Sequence, residues 1–231
     1  IYTLSLHDAL PILVIKQTLE GRTVLPVVIL DSLGRTYTLD AAEIPGGRGD
    51  GVPVSSLIEL QNGAKPVAML TGQPEQHYLL SGSGGYGFIA KLGDMVGRVK
   101  AGKVVMTVDS GETVLPPVAV YASSLINPDC KIVLASSDHR LLAFSIGELK
   151  VMPKGRGLQL MSLTDVASLE HVLVTTAAEF IVETVGKRGA AHQEKLRICD
   201  IDGKRGKKGK VLDVSGHLIT KIGRASCRER V

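Results

Sequence analysis

Short apolar runs that end in a serine and a turn recur along the chain roughly every fifty residues. Ser32, Ser83 and Ser137 each follow such a run, and they are 51 and 54 positions apart. The runs are rich in Val, Ile and Leu, and helical periodicity is weak, which is typical of β-strands. We therefore predict that four apolar runs occupy equivalent strands of successive units: 27–30, 79–80, 132–135 and 172–174.

A glycine-rich basic segment, here called a box, lies downstream in each unit. The four boxes are box 1 (46–51), box 2 (98–103), box 3 (154–157) and box 4 (203–210). An apolar, strand-like run follows each box. Short strands repeated every ~50 residues are the signature of propeller-like blades. The sequence predicts an all-β fold of about four four-stranded blades. It also predicts a truncated first blade, with residues 13–23 as the tail of an earlier one.

Composition narrows the class of protein. The chain has 231 residues, of which 44% are hydrophobic and 3% aromatic. The longest apolar runs are far shorter than the roughly 18 residues that a transmembrane helix needs. Cys130 and Cys199 are distant from each other, which predicts no disulfide framework or zinc site and fits a reducing compartment. The net charge of +4 does not by itself imply a nucleic-acid partner.

The two ends do not read as native protein. One DNA string can encode residues 6–12, and its reverse complement can encode residues 222–227. We therefore interpret residues 1–12 and 221–231 as the translated strands of a sequencing adapter and exclude them from functional reasoning. We expect no consistent place for them in the core, although a strand docked at an open sheet edge is compatible with this interpretation. Without the four basic and two acidic residues of these ends, the net charge falls to +2.

No catalytic or metal-binding pattern stands out. Residues 82–87 match GxGxxG, but a strand-like run follows where a dinucleotide site needs a helix, which favours a hairpin turn. After Gly209 and Lys210, Val211 occupies the position where a phosphate-binding loop needs Ser or Thr. The histidines outside the adapter segments have no metal-ligand spacing: His77, His139, His171, His192 and His217. The predicted site therefore contains no catalytic residue and no metal.

The boxes carry the functional prediction. Backbone amides in glycine-rich loops and adjacent Lys and Arg side chains suit phosphate contacts. The low net charge requires these side chains to lie on one rim, and the scarcity of aromatic residues favours contact with a duplex backbone over base stacking. For Arg48 taken alone, a solvated turn between blades is the favoured interpretation, whereas the five cations of box 4 favour phosphate contact. The predicted DNA-binding residues are Arg48, Arg98, Lys100, Lys103, Lys154, Arg156, Lys204, Arg205, Lys207, Lys208 and Lys210.

Several segments resemble the C-terminal domain of type II topoisomerase A subunits, in particular that of topoisomerase IV (ParC). The segments are 30–35, 83–88, 92–94, 100–103, 140–144, 148–150 and 154–161. The resemblance covers essentially all of 13–220. It implies a β-pinwheel, whose blades exchange strands, and a basic outer rim that binds and bends double-stranded DNA.

The resemblance also implies a role in a larger enzyme. In the family, this domain presents DNA to the cleavage core of an isomerase that changes DNA topology during chromosome segregation in the bacterial cytoplasm. The ParC-type chain forms a homodimer and pairs with an ATPase subunit (ParE), and strand passage decatenates and relaxes DNA. The resemblance implies no cofactor in this segment, because ATP and magnesium act elsewhere in the complex.

The sequence leaves several alternative functions open. The DNA-linking tyrosine region of the family has no counterpart here, so we expect no catalysis by this segment alone. Gyrase A, whose domain wraps DNA, carries a box that begins with Gln-Arg-Arg; no box here does, which favours topoisomerase IV. A propeller that binds only proteins would show scattered charge in place of a continuous basic rim. A propeller enzyme would need convergent polar residues in a central channel.

Overall fold

The computed structural model describes residues 17–45, 52–186, 191–211 and 217–224. It contains short helices, α1 (Leu92–Met95) and α2 (Ala122–Ile126), and 3-10 turns at Ala41–Glu43, Val54–Ser56, Ile146–Glu148 and Ile198–Asp200. The strands are β1 (Pro26–Asp31), β2 (Arg35–Asp40), β3 (Pro66–Leu70), β4 (His77–Ser81), β5 (Tyr86–Lys91), β6 (Lys103–Val104), β7 (Val118–Val120), β8 (Lys131–Ser136), β9 (Arg140–Ser145), β10 (Leu158–Gln159), β11 (Leu169–Thr175), β12 (Glu179–Gly186), β13 (Ala191–Arg197), β14 (Lys210–Val211) and β15 (His217–Arg224). Within these described ranges, no helix is long and apolar enough to cross a membrane.

The strands form four antiparallel sheets, which confirms the predicted all-β class. Their orders are β3-β1-β2-β6 in sheet 1, β10-β5-β4-β7 in sheet 2, β11-β8-β9-β14 in sheet 3 and β13-β12-β15 in sheet 4. Each sheet is built on a central hairpin. A later strand pairs with the first strand of the hairpin. In sheets 1 to 3, a two-residue strand that begins at the end of a box or directly after it, here called a box strand, pairs with the second strand of the hairpin.

Neighbouring sheets exchange strands. Box 2 follows the hairpin of sheet 2 in the chain, yet its strand β6 pairs with β2 of sheet 1. In the same way β10 completes sheet 2 although it follows the hairpin of sheet 3, and β14 completes sheet 3. Each of these three sheets therefore depends on the repeat that follows it, as the resemblance to β-pinwheels implied.

This exchange corrects the expectation about the first blade. Sheet 1 has four strands, and it is sheet 4 that has three among the described residues. The expectation of a truncated first blade was wrong because a box completes the preceding sheet, so box 2 completes sheet 1. Of the segment expected to be the tail of an earlier blade, Gln17 instead hydrogen-bonds the backbone of Met69 in β3 through both ends of its amide.

One apolar run also lies in a different place from the one predicted. The runs at 27–30, 79–80 and 132–135 fall in β1, β4 and β8, the equivalent first strands of three hairpins. The run at 172–174 lies in β11, which pairs with β8 at the side of sheet 3. The fourth equivalent strand is β12. The run at 172–174 was assigned to the wrong strand because β11 packs against the neighbouring hairpin and so has the same apolar composition.

Three cores lie between successive sheets, because the hairpin strands are buried on both faces, and a further core belongs to sheet 1 and its own loops. Leu30 of sheet 1 packs with Leu80 and Phe88 of sheet 2 in one cluster. On the other face of sheet 2, Leu79 and Ile89 pack with residues of sheet 3 in the next cluster. Burial on both faces explains why the sequence shows continuous apolar runs here instead of alternation.

The recurrent serines hold the hairpin turns in place. Ser83 donates its backbone N–H to the carbonyl of Thr113 (2.8 Å), and its Oγ accepts the N–H of Thr113 (2.9 Å). Ser32 and Ser137 make the same reciprocal pair with Lys65 and Ser168. Each serine thereby ties its hairpin turn to the segment that leads into the adjacent strand of its own sheet.

The last strand runs past the expected end of the native segment. β15 continues through Arg224 and pairs with β12, and Ile222 is buried against Phe180 and Val182. The strand lies at the edge of sheet 4. Residues 1–12 and 225–231 lie outside the described ranges, and the adapter interpretation of both ends stays a prediction.

Candidate nucleic-acid interface

The three described box strands occupy the same side of their sheets. β6, β10 and β14 each pair with the second strand of a hairpin, at the same register position. Each is preceded by a glycine with positive φ: Gly102 (73°), Gly157 (87°) and Gly209 (74°). A Cβ on Gly157 would lie 2.3 Å from the carbonyl oxygen of Gly87. Only glycine allows the box to approach the hairpin this closely.

Backbone hydrogen bonds join boxes 3 and 4 to the segment that follows the preceding box. Gly155 of box 3 donates to the carbonyl of Val105 (2.9 Å), which follows box 2. Gly206 of box 4 donates to the carbonyl of Leu160 (2.8 Å), and Ser162 donates to the carbonyl of Lys207 (3.1 Å). Boxes 2, 3 and 4 therefore form one continuous surface, here called the box edge. Box 1, with Arg48, lies outside the described residues.

Six predicted side chains on the box edge are exposed and have no hydrogen-bond or ion-pair partner among the described residues. They are Arg98, Lys100, Lys154, Lys204, Lys207 and Lys208. Unpaired cations on one continuous edge create a positive potential that attracts an anionic ligand. Since no described carboxylate pairs with these six side chains, their positive charge is available to a partner.

Two further predicted lysines hold the box strands in place. Lys103 donates from Nζ to the carbonyl of Asp94 (2.7 Å), and Lys210 donates to the carbonyl of Asp200 (2.5 Å). Asp94 and Asp200 lie in equivalent short helical turns after their hairpins. Both lysines are exposed. An ammonium group has three N–H donors, so each lysine keeps two of them for another acceptor.

The two half-buried arginines of the predicted set are engaged within the protein. Arg156 pairs with Asp109 (2.7 Å) and Glu112 (3.4 Å) and stacks over Tyr86, 4.0 Å from the ring centroid. Arg205 donates from Nη1 to the carbonyl of Gln159 (2.7 Å). Arg156 is neutralised by two carboxylates, so the free lysines carry most of the available charge.

Sequence reasoning missed two arginines that contact the boxes. Arg35 donates to the carbonyls of Ala101 and Gly102, and Arg140 donates to the carbonyl of Gly209. Both are the first residue of the second hairpin strand, immediately after the turn. That shared position in the repeat was the available signal.

Among the described residues, the side chains that commonly bind metal ions are scattered. Within them, no group of three or more His, Cys, Asp or Glu side chains could hold a metal ion. The GxGxxG segment at 82–87 forms the turn between β4 and β5 and the first two residues of β5, with Ser81 opposite Gly87, which confirms the hairpin interpretation.

Comparison with curated proteins identifies DNA topoisomerase 4 A subunits as relatives. No family model matches the chain. The DNA topoisomerase 4 A subunit of Neisseria gonorrhoeae is 68% identical over 208 residues, which is 88% of this chain and 27% of the relative. That of Escherichia coli (strain K12) is 29% identical over 206 residues, which is 85% of this chain and 26% of the relative. The chain spans about a quarter of the length of these curated relatives.

Solved structures show the same relationship to topoisomerase A subunits. The C-terminal domain of E. coli ParC superposes with a TM-score of 0.77 at 27% identity and covers 91% of this chain and 84% of that one. The C-terminal domain of DNA gyrase A gives a TM-score of 0.65 at 18% identity over 89% of this chain and 67% of that one, which shows a shared fold.

Proposed function

The chain belongs to the DNA topoisomerase 4 ParC family and corresponds to its C-terminal β-pinwheel domain, and from that premise we propose that it binds double-stranded DNA along the box edge. The observation that carries the proposal is the set of six unpartnered basic side chains on three boxes that are linked by backbone hydrogen bonds within the described ranges. A continuous basic edge also favours DNA over a protein-only partner.

Contacts of this kind are to phosphates. Lysine ammonium groups on short loops reach backbone oxygens, and such contacts position a duplex without reading its sequence. Because the boxes follow one another across successive sheets, a duplex that touches all of them bends. Bending a site of 20–30 bp costs roughly 1–6 kcal/mol, and the phosphate contacts offset it. Affinity is therefore modest and depends little on sequence.

Within the full-length protein, the bound segment is presented to a cleavage core that lies outside this chain. The whole enzyme then passes one duplex through another in the bacterial cytoplasm, which decatenates and relaxes DNA. This requires ATP, magnesium, two copies of the ParC-type chain and the ParE-type ATPase. The present domain contributes DNA binding and bending and no catalysis of its own.

A salt titration of duplex binding tests the proposal. Each neutralised phosphate contributes about 0.9 to the slope of log K against log salt. The double variant Lys207→Glu/Lys208→Glu should weaken binding to all duplexes alike and flatten the slope by about two units.

The matched control is an exposed lysine beside the opposite edge of sheet 1. Lys65 immediately precedes β3. Lys65→Glu should leave the slope unchanged, whereas Lys207→Glu alone should lower it by about 0.9. Equal slopes for the wild type and the double variant would remove box 4 from the DNA path. Tight binding to a single sequence would contradict the phosphate-contact mechanism.

A further inference from the structure

A guanidinium group lies at each described junction between a central hairpin and the box strand that completes its sheet. In sheet 1, Arg35 Nη1 donates to the carbonyl oxygens of Ala101 (2.8 Å) and Gly102 (3.1 Å). In sheet 3, Arg140 at the same register position donates from Nη1 to the carbonyl oxygen of Gly209 (3.5 Å). Neither arginine belongs to a box, and the proposed DNA contacts do not use them.

In sheet 2 the arginine belongs to the box and its partner belongs to the hairpin. Its hairpin has Tyr86 at this position, opposite Gln159 of β10. The guanidinium comes from Arg156 of box 3, which stacks over the Tyr86 ring. A cation over an aromatic face is held by the ring quadrupole. The shared feature of the three junctions is therefore the guanidinium, whichever side of the junction supplies it.

We propose that Arg35, Arg140 and Arg156 are positioning residues: each holds a box strand against the hairpin of its sheet and so directs the free lysines of that box toward phosphates. The proposal rests on the proposed DNA binding. It follows from how little else holds the box strands, since β6, β10 and β14 are two residues long. In Arg35 a single nitrogen, Nη1, donates to both carbonyls. The ammonium nitrogen of lysine stands at the position of Cζ, one bond short of Nη1, so it does not reach both carbonyls from the same backbone position.

Direct phosphate contact by these arginines is the competing role, and their charges argue against it. Arg140 pairs with Asp138 (3.0 Å), and Arg156 pairs with two carboxylates. Of the three, Arg35 alone has no ion pair within the described ranges. Positioning accounts for all three junctions, whereas direct contact with DNA would suit Arg35 only.

A substitution that conserves charge separates the two roles. Arg35→Lys keeps the net charge of the chain but loses the two-carbonyl contact to box 2. We expect the salt slope of duplex binding to fall by up to about 0.9 for each box 2 lysine, Lys100 and Lys103, that no longer reaches a phosphate. If Arg35 itself contacted a phosphate, Arg35→Lys would retain the slope and only Arg35→Gln would lower it, which would overturn the positioning role.

The matched control is an exposed arginine that does not contact a box. Arg197 at the end of β13 pairs with Asp200. Arg197→Lys should leave the slope as in the wild type. The midpoint of thermal unfolding is measured for every variant, so that general destabilisation is distinguished from a displaced box.

Hydrogen exchange without DNA provides an independent readout. Val105 and Met106 both donate their backbone N–H groups to the carbonyl of Gly34 (3.0 Å each) and report the order of the chain just after box 2. In Arg35→Lys their exchange should be about tenfold faster, because hydrogen bonds from a charged donor are lost. The exchange of Gly206 N–H in box 4 should not change.

The outcomes distinguish the two proposals. Unchanged exchange after box 2 would show that Arg35 does not hold the box. Faster exchange with an unchanged slope would show that the order of the box does not govern its phosphate contacts. Both results overturn the positioning role. If the wild-type chain binds no duplex, the proposed function fails, and the exchange measurement still decides whether Arg35 holds box 2.

Discussion

At the scale of single residues, glycine decides where the exchanged strands can lie. Gly157 combines a φ of 87° with a would-be Cβ contact of 2.3 Å to the carbonyl oxygen of Gly87. Gly111 has the same φ of 87°, but its would-be Cβ meets nothing within 4 Å. Substituting each of these two glycines separates the free-energy cost of the backbone conformation from that of the close approach.

We expect Gly111→Ala to destabilise the fold by about 1 kcal/mol, the usual cost of the left-handed region for a residue with a Cβ. Gly157→Ala should cost clearly more, because β10 must also move away from β5. Chemical denaturation of both variants measures the difference. Equal losses of unfolding free energy in the two variants would mean that the left-handed backbone conformation alone requires a glycine before each box strand.

Tyr37 gives a pH-dependent expectation. Burial, and then the nearby Asp31 carboxylate, raise the pKa of Tyr37 above its ordinary value of 10.0. Its hydroxyl donates to Asp31 Oδ2 (3.0 Å). The folded state therefore favours the protonated phenol, and this contribution to stability is present below pH 10 and lost as the pH rises through the raised pKa.

Spectroscopic titration of phenolate, compared between the wild type and Tyr37→Phe, should show Tyr37 ionising above its ordinary pKa of 10.0. Tyr37→Phe should cost about 1–3 kcal/mol, because the buried Asp31 carboxylate loses a hydrogen-bond donor. Tyr121→Phe should stay within about 0.5 kcal/mol, as for other surface changes. Ionisation of Tyr37 at its ordinary pKa would contradict the buried Tyr37–Asp31 contact.

At the scale of elements, the hairpin turn and the segment leading to the adjacent strand are held by one serine. Ser83 both donates to and accepts from the backbone of Thr113. It also offers its carbonyl to the N–H of Leu169 (2.7 Å) in sheet 3. The turn is therefore a place where sheets 2 and 3 are joined by backbone.

Ser83→Ala should cost about 1 kcal/mol, since the Thr113 N–H loses its side-chain acceptor while the backbone bonds remain. The exposed Ser110, which has no hydrogen-bond partner within the described residues, provides the control, and Ser110→Ala should be close to neutral. Thermal unfolding compares the two. A neutral Ser83→Ala would leave the repeated serine without a role in stability.

At the scale of the whole molecule, the exchanged strands and the shared cores make neighbouring sheets depend on one another. The three phenylalanines of the chain are each fully buried in a different cluster: Phe88 between sheets 1 and 2, Phe144 between sheets 2 and 3, and Phe180 between sheets 3 and 4. The cores that hold these three rings are each shared by two neighbouring sheets, whereas sheet 1 also has a core of its own around Ile29, Tyr37 and Met69.

We therefore expect Phe88→Leu, Phe144→Leu and Phe180→Leu each to lower the midpoint of one common unfolding transition. Each replacement leaves part of a buried ring volume unfilled, which in cores costs about 1–3 kcal/mol, less than truncation to alanine. Circular dichroism and tyrosine fluorescence should report the same midpoint. Two separate transitions in any variant would mean that the sheets unfold independently.

The sequence by itself determined the all-β class, the repeat of serine and box, and the turn at 82–87, because strand patterns and turn glycines are local. The box glycines were likewise readable from spacing alone. The tertiary structure decided which sheet each box completes, so the truncated first blade and the place of residues 172–174 were predicted wrongly. It also decided which cations are free. Arg98 and Arg156 have the same charge in the sequence, yet only the second meets carboxylates and an aromatic ring, which come from segments about forty to seventy residues away. Pairing between distant segments leaves no mark in a local pattern, because the strand that completes a sheet is chosen by the path of the chain through the next repeat.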